Sequence, residues 1–155
     1  MAQPAIGKKI PAFKAAATGG GTIATKDLAG AAFVLYFYPK DDTPGCTLEG
    51  QDFRDRHDKF KRLKIKVFGV SRDSLASHDK FKAKYELPFT LLSDPDETLC
   101  RAFDVIKEKN MYGKKVLGVE RSTFLVDAKG VLRGEWRKVK VKGHVDEVLA
   151  AAKDL

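Results

Sequence analysis

The chain has 155 residues, 43% hydrophobic and 32% charged, with six prolines, 13 glycines and two cysteines; this excludes a disulfide scaffold or a disordered chain, and a length that buries about 68 to 70% of its unfolded surface needs no metal or crosslink to hold a core. Lys and Arg outnumber Asp and Glu by 29 to 21, a net charge of +8. The densest basic stretches, 59–66 and 137–142, alternate charge with apolar residues at helix or strand spacing, which marks the solvated faces of packed elements rather than a nucleic-acid surface.

The longest uncharged apolar run, 31–38, is eight residues, far short of the roughly 18 that a membrane helix needs. The start, Met1 to Lys9, lacks the apolar stretch of a secretory signal, so the expected compartment is the cytoplasm. In that reducing environment Cys46 and Cys100 suggest catalysis or an inert thiol before a structural bridge. With no internal repeat or Pro/Gly/Ser linker, the chain reads as one domain over 1–155.

Lys8 to Ala16 is an extended lead-in, and Thr18 to Thr22, with three consecutive glycines, is a turn; no Gly-Lys-Ser/Thr follows to make it a phosphate loop. Phe33 to Tyr38 is a continuous aromatic and aliphatic run that fits a strand buried on both faces. Phe53, His57, Phe60 and Leu63 predict a helix over 52–63, followed by a second buried strand over 66–71, and this order implies a parallel crossover. A second helix is predicted over 74–85, with Leu75, His78 and Phe81 on its inner face and Leu87-Pro88 ending it. Phe89 to Leu92 is extended, and Asp94-Pro-Asp-Glu-Thr98 begins a helix over 97–103. Residues 120–126 and 131–137 alternate around Asp127-Ala-Lys-Gly130 as a hairpin, and a last helix spans 145–152. The order β, α, β, α, β, α, β, β, α predicts an α/β sandwich with a mixed sheet.

Chemistry concentrates in 38–53. Cys46 falls where a buried strand gives way to a helix, and the free amides and dipole of a helix start favour the thiolate, the nucleophilic form of cysteine. Thr43 can aim a hydroxyl at the same place, Pro39 and Pro44 stiffen the loop, and Gly45 lets backbone come close. Local spacing alone leaves Cys46 equally open to being an ordinary residue of a helix start.

Pro39-Lys-Asp-Asp-Thr43-Pro-Gly-Cys46 resembles the Pro-x-x-x-Thr-x-x-Cys motif of peroxiredoxins, and Tyr38 to Thr47 is similar to the form of the peroxiredoxin Q branch, also called bacterioferritin comigratory protein. Further similarity lies in 92–95, 120–127 and 136–144, so the resemblance covers about 6–149. It implies a thioredoxin-like fold, a central mixed sheet flanked by helices, and a thiol peroxidase without metal, flavin or haem. Carried onto this chain, it makes Cys46 the peroxidatic cysteine, gives Thr43 a hydrogen bond to the peroxide, sets Pro39 to shield the pocket and brings Arg121 to the thiolate. Without the resemblance, Arg121 at a strand start reads as a surface charge. Glu49, one turn past the cysteine, either orients Arg121 or backbone groups or faces solvent.

Regeneration is where the chain departs from that pattern. Many relatives carry a resolving cysteine five residues after the first, where this chain has Gln51, and others carry it in the next helix, here 74–85, which has none. Cys100 shares one helix face with Leu99 and Phe103 and reads as a buried, inert thiol; to resolve Cys46 it would have to bring the two Cα atoms within about 7 Å. The expectation is a one-cysteine mechanism served by an external thiol, whether glutathione, glutaredoxin or thioredoxin. The alternatives are a two-cysteine mechanism through Cys100, and a redox-sensing binding protein in which oxidised Cys46 alters a surface read by a partner. His57, His78 and His144 lack ligand spacing and read as structural or surface residues. No large apolar stripe is left over, so a monomer is expected.

Overall fold

The computed structural model describes residues 4–155, so Met1 to Gln3 of the segment read for a signal lie outside it. A seven-stranded sheet runs in the order β2-β1-β5-β4-β3-β8-β9, built from β1 (Lys14–Ala17), β2 (Thr22–Ala24), β3 (Ala32–Phe37), β4 (Ile65–Ser71), β5 (Thr90–Ser93), β8 (Ser122–Val126) and β9 (Leu132–Trp136). β3, β4 and β5 are mutually parallel, while β8 lies antiparallel to β3, and β1 antiparallel to β5. The mixed sheet expected from sequence is therefore present. The helices are α1 (Pro44–Asp55), α2 (His57–Arg62), α3 (Leu75–Tyr85), α4 (Thr98–Ala102) and α5 (His144–Ala152). β6 (Ile106–Met111) and β7 (Lys114–Val119) form a separate two-stranded ribbon.

Successive side chains of β3 point to opposite sides of the sheet and divide the core in two. Phe33, Leu35 and Phe37 join Leu99, Cys100, Phe103 and Phe124 on one face. Val34, Tyr36 and Tyr38 join Cys46, Phe53, Phe60, Phe81 and Val148 on the other. The parallel steps from β3 to β4 to β5 advance in one direction, so right-handed crossovers place α1, α2 and α3 on the Cys46 face. On that face the Tyr36 and Phe53 rings stack with centroids 4.5 Å apart.

Three sequence expectations are corrected. The helix expected over 52–63 is two helices: Pro44, whose missing N–H costs nothing in a first turn, starts α1 eight residues earlier, and Arg56 (φ −109°, ψ 5°) leaves helical geometry and separates α1 from α2. The extended lead-in and glycine turn are a β1–β2 hairpin at the sheet edge. The β6–β7 ribbon was absent from the expected order because its exposed, lysine-rich strands bury too little for a period of two to show. Its turn is the two-residue type in which Tyr112 (φ 53°) and Gly113 (φ 80°) both have positive φ between the paired Met111 and Lys114.

Candidate active site

The carboxyl end of β3 passes through a six-residue loop, Tyr38 to Thr43, into α1. Cys46 is the third residue of α1, in the turn whose amides have no acceptor within the helix, and only 2% of it is exposed. Antiparallel pairing of Phe37 with Ser122 carries Arg121, one residue beyond, to the same end of the sheet. There Arg121 Nη2 donates to Cys46 Sγ at 3.3 Å, and Nη1 donates to Glu49 Oε1 at 2.7 Å. Gly45 is the reason the guanidinium fits: a Cβ there would stand 3.1 Å from Nη2. The close backbone approach expected at Gly45 is thus a close approach by Arg121.

Glu49 is fully buried, which removes the solvent-facing alternative for it. Burial raises its carboxyl to a pKa of about 7 against the opposing pull of Arg121. Its second oxygen, Oε2, is buried without a partner, as is the hydroxyl of Tyr36. Burial, then the charges of Glu49 and Cys46, push Tyr36 well above the ordinary tyrosine range, so it is a neutral wall of the site. The Arg121 guanidinium is held above its usual value by Glu49 and Cys46, against the effect of its own burial. A fixed, permanently charged fork on Sγ is the donor geometry that suits an anionic sulfur and the charge that develops on an attacked oxygen.

Thr43 caps α1 without a side-chain bond to it; its hydroxyl donates to the Lys40 carbonyl at 2.8 Å, which holds the turn and leaves oxygen lone pairs free. Pro39 is half-buried at the end of β3. The two aspartates between them had been given no role from sequence, yet both tether the loop to α3. Asp41 accepts from the Tyr38 hydroxyl (2.6 Å) and the Ser77 hydroxyl (2.8 Å) and lies 2.7 Å from His78 Nδ1. Asp42, in the left-handed region that Asp tolerates, accepts from Lys84 at 2.8 Å and Tyr85 at 2.6 Å. Asp73 closes the network by accepting from the Asp41 amide (2.9 Å) and the Ser71 hydroxyl (2.5 Å). Asp41, Asp73 and His78 lie close enough together to resemble a metal cluster, but both Asp41 oxygens and both His78 nitrogens are engaged in this network, His78 Nε2 with the Leu92 carbonyl at 2.9 Å. The acid-acid pair in the loop motif was the only sequence signal for this anchor.

Cys100 belongs to the opposite face of the sheet. It is fully buried, its amide donates to Asp94 Oδ2 at 2.7 Å, and burial followed by Asp94 drives its thiol far above the ordinary cysteine range. The carboxylate that caps α4 therefore also keeps Cys100 protonated. Cys46 and Cys100 are both free thiols. Of the histidines, His144 is buried with Nε2 2.7 Å from the Thr123 hydroxyl, and burial lowers its pKa to about 4. His57 rests partly buried against Phe89.

Residues 6–135 match the AhpC/TSA family. Peroxiredoxin Bcp of Xanthomonas campestris pv. campestris is 59% identical over 136 residues, 88% of this chain and 85% of the relative. Peroxiredoxin Bcp of Bacillus subtilis is 52% identical over 150 residues, 97% and 96% of the two chains. Among solved structures, a Cys-to-Ser mutant of Xylella fastidiosa PrxQ superposes with a TM-score of 0.93 at 43% identity, over 99% of this chain and 98% of that one. Xanthomonas campestris bacterioferritin comigratory protein, solved as a trapped intermediate/ligand complex bearing on its alkyl peroxide reduction activity, superposes at 0.88 and 56% identity over 92% and 90%.

Proposed function

The chain belongs to the AhpC/TSA family, among the peroxiredoxin Q or Bcp proteins, and is a thiol-dependent peroxidase with a thioredoxin-like fold; from this premise we propose that Cys46 is the sulfur that attacks the peroxide and that it works without a second cysteine. The observation that carries the assignment is the Arg121 fork, which joins Sγ to buried Glu49. Arg121, Thr43 and Pro39 complete the site, with Glu49 and Gly45 supporting Arg121.

In the first half-reaction the Cys46 thiolate attacks the terminal oxygen of a hydroperoxide in line with the O–O bond. The S–O bond forms as the O–O bond breaks; the leaving oxygen takes a proton and departs as water or an alcohol, and Cys46 becomes a sulfenic acid. Arg121 donors remain in place while negative charge moves from sulfur to oxygen, so no reorganisation is needed at the barrier. The Thr43 hydroxyl accepts a hydrogen bond from the hydroperoxide O–H, which stays on the attacked oxygen as the sulfenic acid forms, and Pro39 keeps water from the sulfur. In the second half-reaction one thiol condenses with the sulfenic acid to give a mixed disulfide and water, and a second thiol releases Cys46 as the reductant leaves oxidised.

Two features support an external reductant: Gln51 and α3 offer no thiol, and the core of the sheet stands between Cys46 and Cys100. The alkyl peroxide activity of the Xanthomonas relative supports organic hydroperoxides as substrates beside hydrogen peroxide. Glutathione, glutaredoxin and thioredoxin are the candidate reductants, the compartment is the cytoplasm and the working unit a monomer. Mass spectrometry after one equivalent of peroxide with a sulfenic-acid trap tests the assignment: Cys46 is expected to carry the trap and Cys100 to remain a thiol. A Cys46–Cys100 disulfide would overturn the one-cysteine mechanism, and a label on Cys100 alone would overturn the site.

A further inference from the structure

The β6–β7 ribbon brings a further cation toward Cys46. Lys109 on β6 pairs with Val116 across the ribbon, but its side chain leans back toward the ribbon base and lies over Gly118. A Cβ at Gly118 would come within 3.2 Å of Lys109 Cδ and 3.7 Å of Nζ, so the absence of a side chain there creates the path. From Gly118 the chain is three residues from Arg121, which touches the sulfur. Lys109 is half-buried, and among the described residues no carboxylate lies within ion-pair distance of it. The cations around it are already engaged: Arg121 is bound to Glu49 at 2.7 Å and Arg72 to Glu97 at 2.9 Å. Burial and the positive charges of Arg121 and Arg72 hold Lys109 below the ordinary lysine range, while the Cys46 sulfur and Glu120 act in the opposite sense. A recess of about 700 Å³ opens beside it, lined by Lys107, Glu108, Lys109, Glu120, Arg137 and Lys138.

A half-buried ammonium repelled by two arginines and, among the described residues, in no ion pair of its own is stabilised by an anion that arrives beside it. We propose that Lys109 is a specificity residue of the Cys46 site, which binds the carboxylate of a co-reactant seated in this recess while the co-reactant's reactive end reaches Sγ. The inference rests on the peroxidatic assignment of Cys46. The carboxylate has two sources that fit: an organic hydroperoxide carrying an acid group, or a small acidic thiol such as glutathione. In the first case the S–O bond forms at the hydroperoxide oxygen while the carboxylate stays on Lys109. In the second, the thiol sulfur displaces water from the Cys46 sulfenic acid and leaves a mixed disulfide with its carboxylate on Lys109.

The test compares rate-constant ratios in the full-length protein for wild type, Lys109→Gln, Lys109→Glu and Gly118→Ala, the last of which displaces Lys109 without removing it. One ratio is that of ring-carboxylated to plain cumene hydroperoxide in oxidising Cys46. The other is that of glutathione to its diethyl ester in reducing the sulfenic acid. Loss of a charge-assisted bond lowers the affected ratio about tenfold in Lys109→Gln, with a larger fall in Lys109→Glu and a partial one in Gly118→Ala. A fall in the first ratio assigns the carboxylate to the substrate, and a fall in the second assigns it to the reductant. If both ratios stay at their wild-type values, or if charged and neutral members slow equally, the proposal is overturned. Should hydrogen peroxide fail to oxidise Cys46 in the wild type, it is the peroxidatic assignment itself that fails, a result distinct from unchanged ratios.

Discussion

Cys46 and Cys100 are almost equally hidden, at 2% and 0% exposure, and each sits in the first turns of a helix against one face of the same sheet. Their neighbours differ in sign. A guanidinium donates to Cys46 Sγ, whereas the charged group nearest Cys100 is the Asp94 carboxylate, which caps α4 and opposes ionisation of the thiol. Helix position and burial therefore do not make a cysteine reactive. What separates the two thiols is the guanidinium of Arg121, which the pairing of β3 with β8 delivers to Cys46.

The largest effect that follows is on turnover. Cys46→Ser is expected to lower peroxide reduction at least about a thousandfold, because the nucleophile is gone, while Cys100→Ser keeps wild-type peroxide consumption in a stopped-flow assay with a thiol reductant. Loss of turnover in Cys100→Ser, with the first oxidation of Cys46 intact, would mean that the sheet does not keep the two sulfurs apart. Next in size is Arg121→Ala, expected to slow Cys46 oxidation by about 10²- to 10³-fold, the usual cost of removing a preorganised donor. Arg121→Lys recovers little of this, since one ammonium cannot donate to Sγ and Glu49 in fixed directions at once.

The sequence already contained the first half of the comparison. The buried run 33–38 followed by Pro39 and a helix put Cys46 at a strand-to-helix junction, which is where α1 begins; the peroxiredoxin motif pointed to Thr43, and only the wider resemblance pointed to Arg121. It could not show that Glu49 is buried, because that depends on α1 starting at Pro44 and turning Glu49 inward toward a strand 72 residues away. His78 was legible as an inner-face residue of α3, but not as a partner of Asp41, since the pairing depends on how the loop folds over that helix. The ribbon was lost for a different reason: strands with little to bury carry no hydrophobic period, although β6 and β7 pair over six residues each.

A smaller perturbation tests whether contact with sulfur, rather than mere presence of Arg121, separates the two thiols. Gly45→Ala would place a methyl 3.1 Å from Nη2, tight enough to move the fork by a few tenths of an ångström while the Cys46 side chain is kept. Misplacement on that scale is expected to slow Cys46 oxidation by about three- to tenfold while the midpoint of urea unfolding stays near wild type. An unchanged rate would mean that the guanidinium acts through its long-range field alone.

The finest distinction is in pH. On the Cys46 face, Glu49 is raised from 4.5 to about 7, so between those values the folded protein keeps a proton that the unfolded chain has lost. Its contribution to stability is full below pH 4.5 and is lost as pH rises through about 7, on the order of 3 kcal/mol over that span. His144 runs the other way: burial lowers it from 6.5 to about 4, unfolding takes up a proton between those values, and stability is lost as pH falls through about 4. The two oppose each other between pH 4.5 and 6.5. Urea midpoints measured across pH 4.5 to 7.5 should therefore rise with pH more steeply in Glu49→Gln than in wild type, and fall more steeply in His144→Gln. Cys100→Ser should leave the wild-type profile in place, because neither titrating group lies on its side of the sheet. Parallel profiles for Glu49→Gln and wild type would show that Glu49 is ionised throughout and that Arg121 outweighs burial, which would make the Arg121–Glu49 pair a fully charged clamp beneath the sulfur.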